Sequence, residues 1–219
     1  MEKFLILIMG PQGSGKGTQG KLLAEKFGLT YAEMGPTLKE YANENPEDKE
    51  TIEKFQSKGK LVPDEIVMKA IKYRFGGASS IILDGVPRNK NQAEEIVALA
   101  KEYGLKTIGV YIDLSDDEAV KRLLARLVCP VDGFEPPYPE SLKKTSCDKC
   151  SAKLIRRDDD TKEIILERLK QFHKLTEPMI DYLKKNKIEL IKINGEPAVK
   201  MVQNNLIKEL EKLGLKTNA

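Results

Sequence analysis

Gly10-Pro11-Gln12-Gly13-Ser14-Gly15-Lys16-Gly17-Thr18 lies between an apolar run at residues 4–9 and a helical pattern over about 15–27 that stops at Gly28. The glycines allow backbone conformations that turn N–H groups inward around phosphate oxygens, and a helix N-terminus adds a favourable dipole for an anion. Lys16 supplies a mobile positive charge for the outer phosphates of a nucleotide, and Ser14 and Thr18 bring hydroxyls. A simple glycine turn would need neither the lysine nor the flanking strand and helix. A buried strand that feeds such a loop and helix is also the opening unit of a parallel sheet covered by helices on both faces.

Outward from this unit the same rhythm continues. Residues 80–83 and 107–112 read as buried strands, and 188–193 as a fourth. Between them, 89–103 carries apolar residues on one helical face with Gly104 as its stop, and Ser115-Asp116-Asp117-Glu118 is a capping box that predicts a helix toward residue 128. A last helix is expected over about 197–213, with a frayed tail. Two stretches break the rhythm. Residues 33–62 are helical, charged and strand-free; residues 127–160 hold four prolines and all three cysteines. Both read as excursions from a single α/β core, which a chain of 219 residues can bury.

The charge is nearly balanced, 37 basic against 34 acidic side chains, so the totals point to neither nucleic acid nor a membrane surface. The N-terminal apolar run is too short for a signal core or a membrane span, which leads to the expectation of a cytoplasmic protein. Cys147-x-x-Cys150 forms one knuckle of a zinc-ribbon pattern, and Cys129-x-x-Asp132 the other. Zinc accepts three thiolates and a carboxylate in a tetrahedral structural site. The competing readings are a metal-free segment held by polar contacts and three incidental cysteines.

Leu83-Asp84-Gly85-Val86-Pro87-Arg88 closes the second strand, at the carboxyl end where doubly wound sheets bind ligands. There Asp84 would face a metal between phosphates through water, and Arg88 would grip a second phosphate. Gln92, one helical turn on, offers an amide able to read a base edge. Arg122 and Arg126 are spaced to share a helix face. The one histidine, His173, lies in a helical run and reads as structural.

The loop, Leu61-Val62-Pro63-Asp64-Glu65, Asp84-Gly85-Val86-Pro87-Arg88 with Gln92, and Arg157-Asp158-Asp159-Asp160 followed by Arg168 stand in the order and spacing of the long-lid adenylate kinases, and the sequence resembles that family along its whole length. Gly17 rather than a hydroxyl residue directly after Lys16 fits the monophosphate kinases.

The resemblance implies a P-loop three-layer fold in which 33–62 is the AMP-binding subdomain and 127–160 the lid. It implies that Gly13, Ser14, Gly15, Lys16, Gly17, Thr18, Arg122 and Arg126 bind ATP. The acceptor AMP would meet Met34, Gly35, Lys39, Lys60, Leu61, Val62, Gly85, Val86, Pro87, Arg88, Gln92, Arg157 and Arg168. Lys16, Asp84, Arg88, Arg126, Arg157 and Arg168 would carry the transfer, with Asp159 and Asp160 orienting the arginines. Mg2+ would accompany ATP, and structural Zn2+ would sit on Cys129, Asp132, Cys147 and Cys150. The implied reaction is ATP + AMP ⇌ 2 ADP, and a monomer is expected because both nucleotide sites fit within one chain.

The family's Thr-Gly-Asp-x-x-Arg is here Met34-Gly35-Pro36-Thr37-Leu38-Lys39. Met34 donates no hydrogen bond, and Lys39 lacks the bidentate fork of arginine. The family's Tyr-His segment between the knuckles is also missing. A kinase for UMP, CMP or GMP is therefore a second reading, and a nucleotide-binding protein without turnover a third.

Overall fold

The computed structural model describes residues 2–57, 61–76, 79–158 and 160–217. Five strands form one parallel sheet in the order β2-β3-β1-β4-β5, with β1 Lys3–Met9, β2 Thr30–Glu33, β3 Ile81–Asp84, β4 Leu105–Asp113 and β5 Glu189–Asn194. β1 is central and buried on both faces, because successive side chains of a strand point to opposite sides. Leu5, Leu7 and Met9 join one core with Ile81, Leu83 and Ile96; Phe4, Ile6 and Ile8 join the other with Leu23, Ile108 and Leu206.

The second core is covered by α1 Lys16–Phe27 and α9 Val199–Lys212. The first is covered by α2 Met34–Glu44, α3 Pro46–Gln56, α4 Asp64–Phe75, α5 Lys90–Glu102 and α8 Pro178–Lys185. α6 Asp116–Leu124 and α7 Lys162–Gln171 pack together through Ala119, Leu123, Ile165 and Leu169. This is the three-layer α/β architecture expected from the sequence.

Three local expectations need correction. A fifth strand, β2, was not expected. It has only four residues and lies at the sheet edge, too short for an apolar period to stand out. The helix expected to run from residue 115 toward 128 stops at Leu124, so Arg126 lies past its end and not on its face. Nor does Ser115 close a capping box. Its hydroxyl donates to Glu196 Oε1 at 3.1 Å, and Glu118 accepts instead from Arg122 Nε.

Residues 127–160 contain one short 3-10 helix, Glu140–Lys143, and two isolated antiparallel bridges, Val128 with Ile155 and Ser146 with Lys153. Their small apolar cluster consists of Cys129, Cys147 and Leu154, with Leu127, Phe134 and Ala152 packed against it.

Candidate active site

All five strands point their carboxyl ends at one edge of the sheet, and the site is built there. The loop after β1 returns sharply beneath β4. A Cβ on Gly10 would lie 2.4 Å from the Ile112 carbonyl oxygen, so no other residue fits without moving the strand. Gly15, in the left-handed region at φ 91°, supplies the turn into α1. Lys16 folds back over this loop and donates to the Gly10 and Pro11 carbonyls, both at 2.8 Å. Burial lowers its pKa, and the Asp84 carboxylate opposes that shift.

Asp84 ends β3 and is buried. The next turn carries Arg88, whose Nε donates to the Gly85 carbonyl at 2.7 Å. Burial lowers the Arg88 pKa as well, with Asp84 opposing and Arg168 adding to the shift. Beyond the end of α6, Arg126 makes a two-point contact with Asp160, Nε to Oδ2 at 2.8 Å and Nη2 to Oδ1 at 2.6 Å. Arg168, on α7, reaches the same carboxylate at 3.8 Å. Arg157 pairs with Glu135 at 3.5 Å.

These groups surround one cavity of about 460 Å³. Of the residues expected at the site, Gly13, Gly15, Lys16, Gly17, Thr18, Met34, Gly35, Leu61, Asp84, Gly85, Val86, Pro87, Arg88, Arg122, Arg126, Arg157 and Arg168 line it. Ser14, Lys39, Val62 and Gln92 do not, and Lys60 and Asp159 lie outside the described residues. Ser14 is buried beneath the loop, Val62 is buried in the main core, and Lys39 is exposed on α2.

Both polar atoms of the Gln92 amide have a protein partner. Its Oε1 accepts from the Arg88 N–H at 2.7 Å and its Nε2 donates to Asp64 Oδ1 at 2.6 Å. Asn89, the cap of α5, donates to the other Asp64 oxygen at 2.8 Å. In this arrangement Gln92 fixes the turn that carries Arg88.

Arg122 is likewise committed. It donates to Glu118 at 2.9 Å and to the Gly195 and Glu196 carbonyls at 3.0 Å each, and its free face lies over the Tyr138 ring. Three of its five N–H groups are engaged in this way.

Tyr31, Glu33, Glu135 and Tyr138 escaped the sequence reading, and Asp64, though part of the motif at residues 61–65, was given no role there. Each acts through a partner distant in sequence. Glu33 and Asp84 are paired neighbours on β2 and β3. The Glu33 pKa is raised, first by burial and then by Asp84.

A second constellation lies in the 127–160 segment. One ligand atom from each of Cys129, Asp132, Cys147 and Cys150 lies within 4.8 Å of all the others. Cys129 Sγ and Cys150 Sγ are 3.4 Å apart, as are Cys147 Sγ and Asp132 Oδ2. Such separations are close to the edges of a tetrahedron around zinc with metal–sulfur bonds of about 2.3 Å. Burial pushes the Cys129 thiol up to about 11, while hydrogen bonds from Cys129 hold the Asp132 carboxyl below the usual range.

A glycine loop with its lysine at the edge of a parallel sheet, faced by arginines from four other segments, defines a P-loop enzyme that transfers phosphoryl groups. Comparison with known proteins carries this to the family. The family model for adenylate kinase matches residues 8–188. An adenylate kinase of Petrotoga mobilis is 36% identical over 208 residues, covering 94% of this chain and 96% of the relative. One from Methanothrix thermoacetophila is 36% identical over 216 residues, covering 94% and 98%. One from Archaeoglobus fulgidus is 34% identical over 214 residues, covering 95% and 98%. The chain belongs to the adenylate kinase family.

Proposed function

We propose that the chain catalyses reversible transfer of the terminal phosphoryl group of ATP to AMP, giving two ADP. The observation that carries this is the convergence of Lys16, Arg88, Arg126, Arg157 and Arg168 on one cavity beside a buried carboxylate. A protein that only bound a nucleotide would need the loop and its lysine. Cations on the far side of the cavity serve a second polyanion, and the same charges stabilise a transferring group whose charge spreads over its equatorial oxygens.

The loop N–H groups and Lys16 hold the donor phosphates; Arg122 offers its flat face to the donor base. Arg88 holds the acceptor phosphate. Arg126, Arg157 and Arg168 lie between the two. Asp84 fits a magnesium ion. It is a buried carboxylate lining the cavity beside Lys16 and Thr18, and no described residue hydrogen-bonds its Oδ1. Magnesium bound there through water would neutralise phosphate charge. Residues 33–62 serve as the acceptor subdomain and 127–160 as the lid, which excludes water when it closes. Cys129, Asp132, Cys147 and Cys150 hold zinc as a structural staple, since four protein ligands leave no open position.

Both nucleotide subsites lie in one chain, which supports a monomer. No helix among the described residues is long and apolar enough to cross a membrane, which is compatible with the cytoplasmic setting expected from the sequence.

One observation favours a different acceptor base. Buried Met34 lines the acceptor side, and its Cβ lies 3.6 Å from where a Cβ on Gly85 would stand, so an apolar wall replaces a hydroxyl. The deciding experiment is diphosphate formation from MgATP with AMP, UMP, CMP and GMP in parallel. Preference for AMP supports the proposal, and preference for another base assigns Met34 a specificity role. No transfer to any of them overturns kinase activity.

A further inference from the structure

β2 and β3 run parallel with Tyr31 opposite Ile82 and Glu33 opposite Asp84. Tyr31 and Asp84 therefore project from the same face, toward α1. The Tyr31 hydroxyl donates to Asp84 Oδ2 at 2.8 Å. Burial, then the Asp84 charge and this hydrogen bond, raise the Tyr31 pKa well above the ordinary phenol value, so the hydroxyl keeps its proton and stays a donor.

The helix is shaped to admit the ring. A Cβ on Gly20 would lie 2.5 Å from Tyr31 Cε2, and one on Gly17 would lie 3.6 Å from the Tyr31 hydroxyl and 3.8 Å from Asp84 Oδ2. Two glycines one turn apart thus form a slot along α1. Glycine inside a helix is unfavourable by about 0.5–1 kcal/mol relative to alanine, so it needs a packing reason, and the tyrosine supplies one at Gly20.

The two cations near Asp84, Lys16 and Arg88, have hydrogen bonds directed at backbone carbonyls and not at the carboxylate. Glu33, beside it on β2, repels it. Tyr31 is thus the hydrogen-bond donor that fixes the carboxylate among the described residues.

We propose that Tyr31 is a positioning residue for metal-nucleotide binding: docked in the Gly17–Gly20 slot, it holds Asp84 Oδ2 and thereby sets Oδ1 toward the hydrated metal of the donor nucleotide. The proposal rests on Asp84 being the metal-side carboxylate, as read above.

Partners that orient a metal-binding group from behind carry about 10–100-fold in metal affinity. The lower end applies where water stands between carboxylate and metal. The test is calorimetric binding of ATP to the whole chain, once with Mg2+ and once with EDTA, in wild type, Tyr31→Phe, Gly20→Ala and Asp84→Asn. The quantity compared is the ratio of the two affinities, which a general loss of packing would leave unchanged.

Tyr31→Phe keeps the ring and removes the donor; Gly20→Ala keeps the donor and displaces the ring. Each is expected to lower the ratio about tenfold, toward that of Asp84→Asn. A wild-type ratio in Tyr31→Phe, with a lowered one in Asp84→Asn, overturns the role of Tyr31 alone. A wild-type ratio in Asp84→Asn overturns the metal reading of Asp84 and this proposal with it. Because Tyr31→Phe is nearly isosteric, the result does not depend on Gly20→Ala folding.

Discussion

Asp160→Ala separates the positioning of the arginines from their charge. The Asp160 side chain is 3% exposed, whereas Arg126 and Arg168 are 22% and 27% exposed. Arg126 holds it by two short, parallel, charge-assisted bonds, and Arg168 contributes a looser contact. A bond to a charged group contributes about 1.5–3 kcal/mol in a buried setting. Here one side of each bond reaches water, so screening reduces the sum to about 2–3 kcal/mol. In a chain of this size each kcal/mol shifts the melting temperature by about 2–4 °C, so the variant should melt about 5–10 °C lower.

The catalytic effect has a different origin. Losing the shared anion leaves two guanidiniums repelling each other at the mouth of the cavity. A misplacement of about 1 Å can cost about 10²-fold in rate, so turnover should fall 10–100-fold. Arg126→Ala removes the charge itself and should fall further, by about 10³-fold. Steady-state diphosphate formation and calorimetric melting on the same preparations read both quantities. A melting shift with wild-type turnover in Asp160→Ala would make the carboxylate structural only. Near-normal turnover in a folded Arg126→Ala would remove that arginine from the chemistry.

Arg88→Ala should lower turnover by about 10³-fold, and unchanged turnover would take Arg88 off the acceptor phosphate. Metal analysis should find one zinc per chain. Chelation, or Cys150→Ser, should then reduce hydrogen-exchange protection in residues 127–160 and leave β1 and β4 unaffected; equal protection before and after would refute the staple. His173 bridges Glu177 at 2.8 Å and Asp116 at 2.9 Å, and both raise its pKa. A raised folded-state value adds stability that is fully present below the ordinary histidine pKa and is lost as pH rises through the shifted one. The histidine is half-exposed, so His173→Gln should cost only about 0.5 kcal/mol at pH 6, a melting shift of about 1–2 °C, and nothing at pH 9. A shift of the same size at both pH values would exclude an ionic origin.

His173 also shows where sequence reasoning ran out. A single histidine in a helical run offers no sign of a partner 57 positions away. The structure places it in a five-residue π-helix, Phe172–Thr176, where it bonds Glu177 and Asp116 at the start of α6, partners that could not have been named from the sequence. Gln92 is the opposite case. Its spacing from Arg88 was plain in the sequence, yet its hydrogen bond to Asp64, on another helix, was not.

The sequence by itself determined what depends on neighbours along the chain. Glycines that must turn, a lysine at the mouth of a helix, apolar runs that must be buried on both faces and a pair of knuckles each carry their physical reason within a few residues. From these came the parallel α/β core, the phosphate loop, the Asp84–Arg88 turn and the cysteine cluster. Tertiary structure alone decided what depends on pairs far apart: that Tyr31 meets Asp84 across two strands, that Asp160 gathers Arg126 and Arg168, and that Arg122 is held by the Gly195 and Glu196 carbonyls. Hydrogen bonds and ion pairs act over about 3–4 Å of space irrespective of sequence separation, and no local pattern encodes which distant group will fill that space.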